Sequence, residues 1–262
     1  MQPPIPSPVV SPEAEAIHYE VDAIRHEVET ARRERALRWM EWALVVAVGF
    51  LQPFLLSMYS LVVKGTLVPK NYNSGVAAGF TVAQDLLSLA VLGYVLFRQG
   101  SSWHKNAQSW GWTDILAAIW LVLLSRSAQM FLMLLFYLLV PSQQHLFKLK
   151  PTNIPDFHLT LFPLLMMIVN PFYEELILRA FTQSEITSLT NKGWLAVLAS
   201  LVIQVSLHFY QGVFIAFSYI PLFATFALYY QYQRRIWPVI LCHMYFDVTA
   251  LITLAQMAKH AS

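Results

Sequence analysis

The stretch "NPFYEELILRA", Asn170–Ala180, sets Glu174, Glu175 and Arg179 inside a run, Leu159 to Ile186, that is otherwise almost wholly apolar. A bilayer-spanning helix needs about 20 mostly apolar residues, so the run is long enough to cross a membrane with its charges inside it. Each ionised side chain at such a depth costs on the order of 2.5–3.5 kcal/mol on insertion scales, so each needs a partner or a task. The surrounding composition supports the membrane reading. The 262 residues are 57% hydrophobic and 12% charged, with a mean hydropathy of +0.51, against roughly 25% charged residues in soluble domains. The fold class that follows is all-α, a polytopic transmembrane helix bundle.

Working outward, hydropathy marks spans at Trp39–Val63, Val76–Phe97, Asp114–Val140, Leu159–Ile186, Trp194–Gly212, Val213–Tyr232 and Ile236–Met257, about seven in all. Ahead of them come a proline-rich lead and a charged amphipathic helix, residues 1–36. Pro12 suits the first helical position after Ser11, Glu13 and Glu15 face the positive dipole end, and Ile17, Val21, Ile24 and Val28 recur at helical spacing. Leading helices over 37–140 and a core over 155–262 are separated by the polar loop "PSQQHLFKLKPTNIPDFH". The arginines of the N-terminal helix, with Arg98, Lys105, Lys192, Arg234 and Arg235, outnumber Lys64, Lys70, Lys148, Lys150 and Lys259 on the opposite side. That bias predicts a cytoplasmic N-terminus. A formal net charge of +2 and the lack of a basic, aromatic-interleaved stripe argue against a nucleic-acid partner. The single cysteine, Cys242, excludes an intramolecular disulfide framework.

The other ionisable groups within spans are Asp85, Arg126, His208, His243 and Asp247. Asp85 and Arg126 lie near the middles of successive antiparallel spans and are expected to pair. Glu175 and Arg179, at i and i+4, share one helix face. Glu174 points about 100° away, without a local cation. Asn170-Pro171 is expected to cap or kink this helix. In "IQVSLHFYQG", His208 follows Gln204 by one turn, and in "WPVILCHMYFD", His243 and Asp247 are one turn apart, the geometry in which a carboxylate can orient an imidazole. Glutamate, histidine and aspartate on three helices of one bundle form a candidate catalytic site. Glu174, His208 and His243 are also a chemically possible zinc ligand set, although HExxH is absent.

These motifs resemble those of the CAAX protease and bacteriocin-processing (Abi) family of intramembrane proteases, which includes the Ras-converting prenyl endopeptidase. "EELILR" is similar to its EExxxR motif, "WPVILCHMYFD" to its Trp-Pro plus HxxxN/D motif, and His208 to the histidine of FxxxH, with Gln204 where phenylalanine is usual. The resemblance covers the chain from Phe157 onward. It implies that Glu174 is the base that activates water, that His208 assists it, that His243 and Asp247 bind the developing oxyanion, and that Glu175 and Arg179 are structural support. It also implies metal-independent chemistry with no cofactor, and a peptide or protein substrate, membrane-attached or not. The expected setting is the lipid bilayer of a bacterial inner membrane. A non-proteolytic immunity or scaffold protein of the same fold is the alternative; an ion-coupled transporter would show inverted repeats, which are not visible.

Overall fold

The computed structural model describes residues 12–63, 75–100, 110–139 and 161–261, and within them the fold is wholly helical. In chain order the helices are α1 (Pro12–Val62), α2 (Gly75–Arg98), α3 (Trp112–Leu139) and α4 (Leu161–Glu175). A π-helical segment, Leu176–Gln183, continues α4 into α5 (Ser184–Thr190). Then come α6 (Gly193–Leu207), a 3-10 turn (Phe209–Gln211), α7 (Val213–Ser218), α8 (Ile220–Gln233) and α9 (Trp237–Ala261). The proline-rich lead, the 141–158 loop and Lys64, Lys70, Lys148 and Lys150 lie outside the described residues. The chain divides into two compact units, Met1–Glu41 and Trp42–Ser262. In the first, α1 begins at Pro12, and its exposed surface carries His18 and Arg25 paired with Asp22.

Among the described residues, five helices are long and apolar enough to cross a membrane: Glu20–Val62, Ala78–Arg98, Trp112–Leu139, Gly193–Gln211 and Val213–Gln233. A shorter apolar helix covers Trp237–Thr253. Against the seven spans expected from hydropathy, five are found among the described residues, and those expected at Leu159–Ile186 and Ile236–Met257 are not among the five.

α2 packs on α4, α3 on α8 and α9, and α6 on α8 and the π segment. One end of the bundle joins the start of α3 to the α8–α9 connection, where Arg235 Nε and Nη2 donate to Asp114 Oδ1 and Oδ2, each at 2.8 Å. At the other end, Ser57 of α1 donates to the Leu207 carbonyl at the end of α6.

Local chemistry explains the close contact of α1 with α4. Pro53 has no N–H, so it leaves the Gly49 carbonyl one turn earlier without its helical donor. The Tyr173 hydroxyl donates to that carbonyl at 2.5 Å. A Cβ at Gly49 would lie 3.4 Å from Ile177 Cδ1 and 3.6 Å from the Tyr173 ring, so glycine lets the helices approach. The apolar cluster here is Val45, Phe50, Leu92, Val95, Tyr173, Ile177, Leu178, Phe181 and Leu207. A second cluster ties α6, α8 and α9 through Val205, Phe223, Phe226, Val239 and Ile240.

Two expectations are corrected. Helix α4 runs through Asn170-Pro171, so the pair does not cap it, and the backbone leaves α geometry from Leu176. Asp85 and Arg126 do not pair: Arg126 donates to Gln129 Oε1 at 3.3 Å and lies 4.7 Å from the Phe246 ring centre, whereas Asp85 is on the α2 face that packs on α4. α3 packs against α9 rather than α2, which separates the two charges.

Candidate active site

The two glutamates that end α4 face different neighbours. Glu174, 9% exposed, accepts a hydrogen bond from Gln204 Nε2 on α6 at 2.9 Å. Glu175, with no exposed surface, turns to α9, where His243 Nδ1 lies 2.7 Å from its Oε1. Its Oε2 lies 3.3 Å from Arg179 Nε. The π segment that begins immediately after Glu175 carries Arg179 and all but one of its residues are buried; such insertions are frequent at functional sites because they re-aim side chains without ending the helix.

Arg179 is fully buried and needs acceptors on every side. Besides Glu175, its Nη1 donates to Ser200 Oγ and its Nη2 to Gln204 Oε1. Gln204 therefore uses its carbonyl on the guanidinium and its amide on Glu174. Ser200 and Gln204 are one turn apart on α6, so one helix face answers both charges of the π junction. Gln204 stands out in the sequence only as a polar residue one turn before His208; its bridging role depends on α6 lying against the π segment.

His208 sits where α6 ends. Gly212, at φ +105°, occupies backbone space that disfavours other residues, and the chain turns there through Phe209–Gln211. The end of α6 leaves carbonyls without helical donors, and His208 Nδ1 lies 2.8 Å from one of them, Gln204 O. A carbonyl only accepts, so Nδ1 carries the hydrogen, and in the neutral ring Nε2 keeps its lone pair. Phe223, Tyr219 and Tyr210 surround the imidazole, with ring centres 4.9, 5.5 and 6.3 Å away.

The orienting partner of His243 differs from the sequence expectation. Its Nδ1 is held by Glu175, whereas Asp247 Oδ1 is 3.6 Å from Nε2, beyond a hydrogen bond but within ion-pair range. Glu175 accordingly serves both Arg179 and His243, and Asp247 lies beside the other ring nitrogen. The one-turn spacing of His243 and Asp247 sets their nearness, but the antiparallel packing of α9 on α4 decides which nitrogen meets which carboxylate.

The arrangement brings Glu174, Gln204 and His208 together on the α4–α6 side and Glu175, His243 and Asp247 on the α4–α9 side. On the first side Gln204 joins the two groups, its side-chain amide donating to Glu174 and its backbone carbonyl holding His208 Nδ1. The second holds an imidazole anchored through Nδ1, with Nε2 available to a developing negative charge. Among the described residues no three His, Cys, Asp or Glu side chains converge as a set that could hold a metal ion. Cys242 is buried and free, next to His243 in α9.

Comparison with known proteins adds one finding. Residues 156–249 match the family model described as "Rce1-like: Type II CAAX prenyl endopeptidase Rce1-like". It contains Glu174, Glu175, Arg179, Gln204, His208, His243 and Asp247, but neither α2 nor α3. No curated protein matches the chain, and no solved structure matches it.

Proposed function

We propose, from the premise that residues 156–249 form an Rce1-like domain, that the chain is an intramembrane endopeptidase using a glutamate-activated water. The observation that carries the reading is the division of labour between adjacent carboxylates: Glu175 is engaged by the charged groups Arg179 and His243, whereas Glu174 has a single neutral donor. Amide hydrolysis needs a base for water, donors for the tetrahedral oxygen and a proton for the leaving amine. Glu174 takes the proton from water and returns it to the amine. His208, with Nε2 free, helps to hold that water. His243, fixed through Nδ1 by Glu175, turns Nε2 toward the oxyanion, and Asp247 beside it sets the local charge.

The substrate in this reading is a peptide or protein presented at the membrane, and a prenylated peptide with a CAAX terminus is the first probe to try. No residue of the proposed mechanism requires a bound metal. The arginines ahead of the first span support a cytoplasmic N-terminus in this reading.

Comparative peptidomics of membranes holding wild type or Glu174→Gln tests the proposal. Cleavage products present only with wild type are the expected result. Identical peptide sets from equally abundant proteins would favour the non-proteolytic scaffold.

A further inference from the structure

We propose that Asp85, on α2 and outside the Rce1-like segment, is a positioning residue of the site: with Glu174 it forms a carboxyl pair that holds one proton and one negative charge. The buried stripe of α2 runs Ala78, Val82, Asp85, Ser88, Leu92 and Val95, at the three- and four-residue steps of one helix face. Ala78 and Val82 pack with Met166 and Val169, while Leu89 and Leu92 join the cluster of Tyr173 and Ile177. The two sets rise together along both segments, so α2 and α4 run parallel, and Asp85 lies level with the turn of α4 from Asn170 to Glu174.

Asp85 is 3% exposed, and its Oδ2 has no hydrogen-bond partner among the described residues. The charges of Asp85 and Glu174 act on each other, and Tyr173 feels both. Tyr173 has one hydroxyl hydrogen, and it is committed to the Gly49 carbonyl that Pro53 leaves open. It has none to give Asp85.

Two carboxylates so placed in an apolar setting do not both ionise. Glu174 has the Gln204 amide as donor, and Arg179, His208, His243 and Asp247 all stand within its electrostatic reach; Asp85 Oδ2 has no donor. A buried carboxyl oxygen without a donor favours the protonated form, so the proton of the pair rests on Asp85. If the peptidase reading of the site holds, the consequence is catalytic. Water loses its proton to Glu174 while Asp85 keeps its own, so the pair never carries two charges and the protonation of the base is coupled to a residue of α2.

Infrared spectroscopy of the full chain in lipid vesicles reads the pair without any substrate. Wild type at neutral pH should show the carbonyl band of a buried protonated carboxyl, which Asp85→Asn removes and Glu174→Gln shifts. Carbon-13 labelling of aspartate in wild type should lower the same band, a result that stands even if Asp85→Asn fails to fold. A band that survives Asp85→Asn and vanishes in Glu174→Gln would place the proton on Glu174 and overturn the proposal, as would the absence of any band that either change affects. With a prenylated CAAX peptide as probe, the pH profile of hydrolysis by Asp85→Asn should move by about one unit or more; an unchanged profile would overturn the coupling. If wild type cleaves no probe, the peptidase reading fails, while the infrared bands still decide the pair.

Discussion

Two ion pairs within the second unit are built from the same groups and differ in what they leave unsatisfied. At one end of the bundle, Asp114 takes two hydrogen bonds from Arg235 and a third from the Gly111 backbone N–H at 2.9 Å, so both oxygens are occupied. In the interior, Glu175 divides its oxygens between His243 and Arg179, and neither Glu175 Oε2 nor Arg179 Nε completes a hydrogen bond across their 3.3 Å contact. The first pair is closed and ties α3 to the α8–α9 connection. The second is one part of a charge cluster that also includes Glu174, His208 and Asp247, and it is stable only as a whole. A closed pair can do little but hold helices; an open one has lone pairs and protons to offer.

The sharpest way to break this contrast is Glu174→Gln, which keeps the Gln204 contact but cannot take a proton from water. Hydrolysis should fall by about 10³-fold or more, at the upper end of what a general base supplies, while detergent-solubilised protein melts as wild type does. Activity equal to wild type would put Glu174 with the structural carboxylates. Glu175→Gln should act on the other quantity. It leaves Arg179 and His243 without their buried counter-charge, and a stability loss of about 3–5 kcal/mol is expected, read as a lowered melting point or poor accumulation.

Asp247→Leu should reduce hydrolysis by about 10²-fold, the usual cost of removing one group at an oxyanion site. Asp247→Asn, whose amide oxygen can still accept a hydrogen bond, should retain much of the activity. Full activity in the leucine variant would reduce Asp247 to packing. The smallest effect belongs to the closed pair: Asp114→Asn should lower stability by about 1 kcal/mol, since Arg235 is partly exposed and screened, and leave the pH profile of hydrolysis unchanged. Stripping with a strong chelator completes the series, with no loss of activity expected. Activity lost on stripping and restored by zinc would replace the glutamate mechanism with a metal one.

Local and distant information divide along physical lines. The contact between Glu175 and Arg179 is legible in the sequence because residues four apart share a helix face whatever surrounds them. The opposite aim of Glu174 follows from the same rotation. The Asp85–Arg126 pair failed as an expectation because depth in a membrane says nothing of azimuth: both charges sit mid-span, yet α2 packs on α4 and α3 on α8 and α9. Gln204 was visible only as a polar neighbour of His208, since its partners Glu174 and Arg179 lie 30 and 25 residues away in sequence.

What the chain determines by itself is the all-helical membrane character, the broad placement of spans and the set of buried charges, because hydropathy and helical periodicity are short-range properties. Tertiary structure decides the rest. The π segment after Glu175, the capture of His243 Nδ1 by Glu175 instead of Asp247, and the Tyr173 bond that satisfies Gly49 behind Pro53 all depend on which helices touch and at what register. A buried donor must find whichever acceptor packing brings within about 3 Å, and no spacing along one helix specifies that neighbour.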